Sequence, residues 1–145
     1  MRIVLQRVSS SKVSVGGRCI AEIGRGLVIL LGIGPQDTPQ QAQALVDKIA
    51  ALRIFEDAQG KMNLSILETG GQAIVVSQFT LYADTRRGRR PSFTDAAPPE
   101  LARTLVDYFA GQLAARGVPT QTGEFGAVMQ VEIHNDGPVT ILLEA

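Results

Sequence analysis

The stretch Gly26–Gly34, GLVILLGIG, is the longest unbroken apolar run in the chain and the feature that most restricts its fold. It falls far short of the ~18–20 residues that a membrane span requires. It lacks the apolar/polar alternation of a half-buried strand. Its β-branched content instead reads as a strand over Gly26–Ile33 that is buried on both faces.

The flanking segments supply the rest of a layered structure. Thr38-Pro39-Gln40-Gln41 offers an N-cap, a proline at the first helical position and a capping-box glutamine. Ala42, Leu45, Val46, Ile49 and Leu52 follow at helical spacing. A second helix opens at Pro98-Pro99 and carries Leu101, Leu105, Tyr108, Phe109 and Leu113 on one side. Arg116 and Gly117 suit its last turn and C-cap. Ile3–Ser9 reads as a first strand, and Lys12–Val15 and Arg18–Ile23 as a hairpin turning at Gly16-Gly17. Gln72–Leu81, Ala127–Ile133 and Val139–Leu143 complete the strands. The order is rich in hairpins at the front with helices inserted later. It predicts an α/β protein of mixed, mostly antiparallel sheets packed together, with two main helices on one side. A length of 145 residues fits a single domain, 1–145.

The inventory of reactive groups is short. One histidine and one cysteine cannot build a zinc site, and no clustered acidic motif suggests magnesium, so neither metal nor cofactor is expected. Cys19 reads as a small buried or half-buried apolar residue. The N-terminus lacks the apolar core of a signal peptide, which suggests a cytoplasmic protein with no membrane association. Gly32 and Gly34 follow a strand and precede a helix, but Asp37 stands where a dinucleotide fingerprint needs its third glycine. Strand alternation puts Met129 with Val131 and Ile133 on one face and His134 with Glu132 on the polar one. Without His134, Ser77 and Thr80 have no evident base to activate a hydroxyl. Any catalysis should then rest on backbone donors, positioned water or the substrate itself.

Three features remain. Arg7 shares the strand face of Ile3 and Leu5, where a charge needs a partner. It is either a strand-end residue reaching solvent or a donor to a neighbouring loop's carbonyls. Arg86, Arg87, Arg89 and Arg90 fall within five residues on a chain whose 14 basic and 14 acidic residues cancel. Such a cluster can be a solvated loop or a phosphate site. Finally, HNDGPVTILL, residues 134–143, sets a Gly-Pro pair between two segments suited to a sheet. Proline cannot donate to a ladder and glycine weakens one.

Two stretches bring these features together. SQFTL, Ser77 to Leu81, and NDGPVT, Asn135 to Thr140, resemble the two signatures of the D-aminoacyl-tRNA deacylases, long called D-tyrosyl-tRNA deacylases. MRIVLQRVSSSKVSV, GIGPQDT, KMNLS and LYADTRRGRRPSF look like further shared blocks, so the resemblance spans nearly the whole chain. Ser11-Lys12 and His134 depart from the usual pattern, outside the motifs.

The resemblance implies a homodimeric ester hydrolase. It would free D-amino acids from the 3′ end of tRNA, remove glycine mischarged on tRNA-Ala, and spare L-aminoacyl-tRNA. Gly137-Pro138 of one subunit would enter the other's pocket with its peptide bond cis, its carbonyls holding the substrate ammonium and excluding an L side chain. Ser77, Gln78, Phe79 and Thr80 would form the catalytic wall, with main-chain N–H groups at Phe79 and Thr80 facing the oxyanion. Asn135 belongs to the same substrate-binding set, Met129 would line the pocket, and Arg7 would brace the partner loop's carbonyls. Arg86, Arg87, Arg89 and Arg90 would hold tRNA phosphates. The attacking group would be water positioned by the ribose 2′-hydroxyl, or Thr80 itself. A non-catalytic tRNA-binding module and a general small-ester hydrolase are the alternatives.

Overall fold

A computed structural model describes residues 1–145. In chain order the elements are β1 (Arg2–Val15), β2 (Arg18–Ile23), β3 (Gly26–Gly32), α1 (Pro39–Ala51), β4 (Phe55–Glu56), β5 (Met62–Leu64), α2 (Ile66–Thr69), β6 (Gln72–Ser77), a 3₁₀ turn (Phe79–Tyr82), α3 (Pro99–Ala115), β7 (Thr120–Thr122) and β8 (Met129–Glu144). One sheet runs in the order β2-β1-β3-β6-β7, with β8 also paired to β1, and β4 and β5 form a small separate pair. The three pairings of β1 are antiparallel, whereas β6 lies parallel to β3 and to β7.

The apolar run forms β3, and both its faces are buried. Leu27, Ile29 and Leu31 pack into one core with Leu45, Val46 and Ile49 of α1 and Leu105, Phe109 and Leu113 of α3. Val28 faces the other way, into a second core with Val8, Val13, Ala21, Ile74 and Val76. Met129, Val131 and Ile133 of β8 cover that second core. The long strands thus curl over the sheet face that the helices leave free. The two ends of the strand order are then tied together by the Gln121 amide, which donates to Glu22 O (2.7 Å) and accepts from Glu22 N (3.0 Å). Gly26 permits the β3–β6 contact, because a Cβ there would lie 1.8 Å from Gln72 O.

Both helices begin where expected. Thr38 and Gln41 form the capping box of α1, and α3 starts at Pro99 with Pro98 at its N-cap. Three strand boundaries differ from the sequence reading. Ile3–Ser9 and Lys12–Val15 are one strand, since the serines between them find partners in β8: Ser11, nearly fully buried, donates to Glu132 O at 2.7 Å. The strands read as Ala127–Ile133 and Val139–Leu143 likewise join in a single strand, β8, which starts only at Met129 because Ala127 closes a turn onto Glu124 O, and which is interrupted by register shifts. The strand read as Gln72–Leu81 stops at Ser77. Cys19 is exposed rather than buried, because it sits on β2 beside the bulge at Val13/Ser14. No helix is long and apolar enough to cross a membrane.

Candidate active site

β3 and β6 end side by side, with Leu31 opposite Ser77, and Gln78 N still donates to Leu31 O at 2.8 Å. The chain then leaves the sheet. Phe-Thr-Leu-Tyr has strand propensity, yet tertiary contacts override it. Arg2 donates to Leu81 O at 3.0 Å, and its guanidinium stacks over the Tyr82 ring at 4.6 Å. Burial, together with the nearby Asp37 carboxylate, pushes the Tyr82 hydroxyl up to about 12. Gln78 also donates its side-chain amide to Thr80 Oγ1. The turn's first hydrogen bond runs from Leu81 N to Gln78 O. The N–H groups of Phe79 and Thr80 precede that bond, so the turn itself gives them no acceptor.

A cleft of about 590 Å³ opens at this point. Leu31, Ile33, Ser77 and Gln78 form its floor, and Pro99, Ala102 and Val106 of α3 one wall. Phe125 to Met129 close another side. At the mouth Phe79 meets Phe93 edge to face, with centroids 5.1 Å apart and planes at 72°. Phe79 is 55% exposed and, with the neighbouring exposed Phe93, gives the cleft an apolar rim.

Of the site residues expected from sequence, Ser77, Gln78, Phe79 and Met129 line this cleft. Thr80 does not line it, and its hydroxyl is engaged by Gln78. His134 is exposed on the outer side of β8. The sequence reading missed Phe93, Phe125 and the α3 wall. Phe125 had no local signal, although Arg103 stacks over its ring at 4.7 Å. No group of three or more His, Cys, Asp and Glu side chains converges to hold a metal.

Arg7, Asn135, Gly137 and Pro138 assemble elsewhere. The β1–β8 register jumps from Gln6↔Thr140 to Val8↔Asn135, so residues 136–139 bulge out opposite Arg7. Asn135 Nδ2 spans the base of the bulge, donating to Arg7 O (3.2 Å) and Val139 O (3.0 Å). Arg7 is only 3% exposed. It donates to Asp136 O at 3.1 Å and Ile54 O at 2.7 Å, beside the carboxylates of Asp136 (3.2 Å) and Glu56 (3.7 Å). Within this chain the carbonyls that Arg7 braces are those of Asp136 and Ile54. The Gly137-Pro138 bond is cis, both residues are exposed, and Gly137 has φ +133°. Arg7 pairs with Leu27, whereas Leu31 at the cleft pairs with Ile3. The loop and the cleft thus lie at opposite ends of β3, separated along the strand by about 13 Å at ~3.3 Å per residue.

The arginine cluster lies on a third segment, next to the cleft. Asp84 and Ser92 pair through two backbone hydrogen bonds of 2.8 and 3.0 Å, which closes the base of the loop. Arg86 grips the Asp84 carboxylate with Nε (2.9 Å) and Nη2 (2.8 Å). Those hydrogen bonds hold the Asp84 carboxyl down at about 2 and shift Arg86 upward. Arg87, Arg89 and Arg90 make no ion pair.

Comparison with known proteins shows the family. Residues 4–144 match the model of a family described as D-Tyr-tRNA(Tyr) deacylase. A D-aminoacyl-tRNA deacylase of Roseiflexus sp. (strain RS-1) is 61% identical over 145 residues, covering 100% of this chain and 94% of that protein. One from Chloroflexus aurantiacus (strain ATCC 29364 / DSM 637 / Y-400-fl) is 58% identical, covering 100% and 91%. Among solved structures, a protein described as c-Myc DNA unwinding element binding protein superposes with a TM-score of 0.92 at 43% identity, over 100% of this chain and 99% of that one. A probable eukaryotic D-amino acid tRNA deacylase shares the fold, with a TM-score of 0.84 at 18% identity over 98% and 97%. The chain belongs to the D-aminoacyl-tRNA deacylase family of hydrolases.

Proposed function

We propose that this chain hydrolyses the ester joining a D-amino acid to the 3′-terminal adenosine of tRNA, acting as a homodimer in which Gly137-Pro138 of one copy completes the cleft of the other. The observation that carries the reading is the separation just described. Within one chain the Gly-Pro bulge and the cleft stand at opposite ends of β3, so a second copy is needed to join them. The outer edge of β8 supports such a dimer. This 16-residue strand pairs only with β1, and Leu142 on it is 74% exposed. An open edge of that length calls for cover.

In this reading the aminoacyl ester lies against Ser77, Gln78 and Phe79. The N–H of Phe79, in the cleft lining, donates to the carbonyl oxygen as it becomes an oxyanion, and the Thr80 N–H at the cleft's edge is the second donor in this reading. Water adds to the carbonyl carbon, the carbon–oxygen bond to the ribose breaks, and the ribose oxygen takes a proton. The chain offers no histidine at the cleft to act as base, which favours water oriented by the ribose 2′-hydroxyl. Thr80, bonded by Gln78, is the less suited nucleophile. The partner's Gly-Pro main chain would fill the space an L side chain needs. Glycine, with no side chain to exclude, would also be accepted, including glycine on tRNA-Ala. Arg87, Arg89 and Arg90, free of ion pairs, are the cations best placed for tRNA phosphates.

The test compares amino-acid release from D-tyrosyl-, L-tyrosyl- and glycyl-tRNA by one preparation. Release from the D- and glycyl-forms alone is expected, and equal D and L rates would refute the reading. Binding without release would identify a tRNA-binding module. Cleavage of free amino-acid esters with labelling of Ser77 or Thr80 by a serine-directed reagent would identify a general hydrolase.

A further inference from the structure

We propose that Arg87, Ser92 and Thr94 form a seat for one phosphodiester of the acceptor strand, the linkage immediately 5′ of the terminal nucleoside. This rests on the tRNA-ester reading above. These residues line a separate depression of about 540 Å³ together with Asp84 and Arg86, and no apolar side chain contributes to it.

Three observations point to a phosphate there. First, the depression adjoins the ester cleft. Phe93 lines the cleft, while its chain neighbours Ser92 and Thr94 line the depression. The two cavities therefore meet along one short stretch of chain, which suits a single nucleotide step. Second, the donors are of the right kind. The Ser92 and Thr94 hydroxyls hydrogen-bond each other at 3.3 Å, which leaves one O–H free to donate to a phosphate oxygen. Third, the charge is resolved in favour of an anion. Asp84, the one carboxylate in the depression, is consumed by Arg86 through two side-chain bonds and by the Arg86 backbone N–H. Arg87 is left as the unpaired cation. Arg86, despite its place in the cluster, is occupied in shaping the loop.

The experiment uses short RNAs ending in CCA, with the D-amino acid joined by an amide to a 3′-amino terminal adenosine so that they bind without turnover. One carries ordinary phosphates and the other a neutral methylphosphonate immediately 5′ of the terminal adenosine. A third moves the methylphosphonate one linkage further away. The unsubstituted protein should bind the first about tenfold more tightly than the second, as one charge-assisted contact implies. The third should bind like the first. In Arg87→Gln, and in Ser92→Ala with Thr94→Val, that preference should shrink toward unity, and the salt slope should fall by about 0.7 in Arg87→Gln. Equal binding of the first two RNAs by the unsubstituted protein overturns the seat, and that comparison needs no variant. Undiminished preference in Arg87→Gln also overturns it. If the protein cleaves D-aminoacyl-tRNA yet shows no preference, only the seat is lost. Failure to cleave removes the underlying function as well.

Discussion

Replacing Arg7 by methionine is the most direct probe of how the Gly-Pro bulge is held. The side chain is 3% exposed and donates to two main-chain oxygens, Ile54 O and Asp136 O, while two carboxylates flank it. Removing one partner of a fully buried ion pair costs about 3–5 kcal/mol. Here the carboxylates can rehydrate, since the Glu56 and Asp136 side chains are 53% and 44% exposed. Their share then shrinks to the ~0–1 kcal/mol of a surface pair. What cannot be recovered is the buried bond to Ile54 O, and with it the anchoring of Asp136 O. A hydrogen bond to a charged group contributes about 1.5–3 kcal/mol. Methionine fills similar volume, so little cavity cost is added. The expected loss is about 2–4 kcal/mol, read by urea unfolding followed by circular dichroism at fixed protein concentration. Arg7→Lys should fall between the two, because it keeps the charge but loses the planar fork that reaches two carbonyls at once. Glu56→Gln should cost under about 1 kcal/mol. If Arg7→Met shifts stability by less than about 0.5 kcal/mol, a surface-like effect, then Arg7 does not hold the bulge.

Other consequences follow from single sites. Gly137→Ala should impair D-ester hydrolysis while leaving helix content unchanged by circular dichroism. Its φ of +133° disfavours any side chain, and a Cβ would lie 2.8 Å from Val139 Cγ2 and 3.2 Å from Arg7 Nη2. Full activity would show the loop tolerates movement. Thr38→Ala removes half of the α1 capping box and should cost about 1 kcal/mol in the same unfolding assay. Asp84 should titrate near 2 by carbon NMR of its carboxyl group, below its ordinary 3.8. Because the folded value is depressed, the Asp84–Arg86 contribution is complete above about pH 4 and disappears as the pH falls through about 2. A midpoint near 4 would show that the pair does not persist in solution.

Legibility in the sequence followed how local each cause is. The doubly buried β3, the capping box of α1 and the Pro-led start of α3 were readable, because each depends on residues close together in the chain. The Arg7 anomaly was readable too, since one charge on an apolar strand face stands out by period alone. Its partners were not. They depend on a register shift between β1 and β8, 128 residues apart at the Asn135–Arg7 bond, and strand periodicity carries no record of pairing. The end of β6 was misread for a related reason. Phe79 to Tyr82 look like strand residues, and the contacts that help hold them in a turn include those of Arg2, distant in the sequence.

The cleft shows most clearly why a site can be half visible. Ser77, Gln78 and Phe79 lie in one short motif, so a sequence pattern captures them together. Ala102 and Val106 of α3 occupy helix positions one turn apart, where apolar residues are expected to pack against the sheet. Their periodicity is the same whether the opposing surface is core or cleft. What turns that wall into a site is the early exit of β6 from the sheet at Ser77, which leaves α3 without a strand to cover at that level. Extending β6 through Tyr82 would bring Phe79 into the sheet and close the cleft. The contacts of Arg2 to Leu81 O and the Tyr82 ring oppose that extension. Arg2 thus helps hold the turn that bounds the cleft although it does not line it.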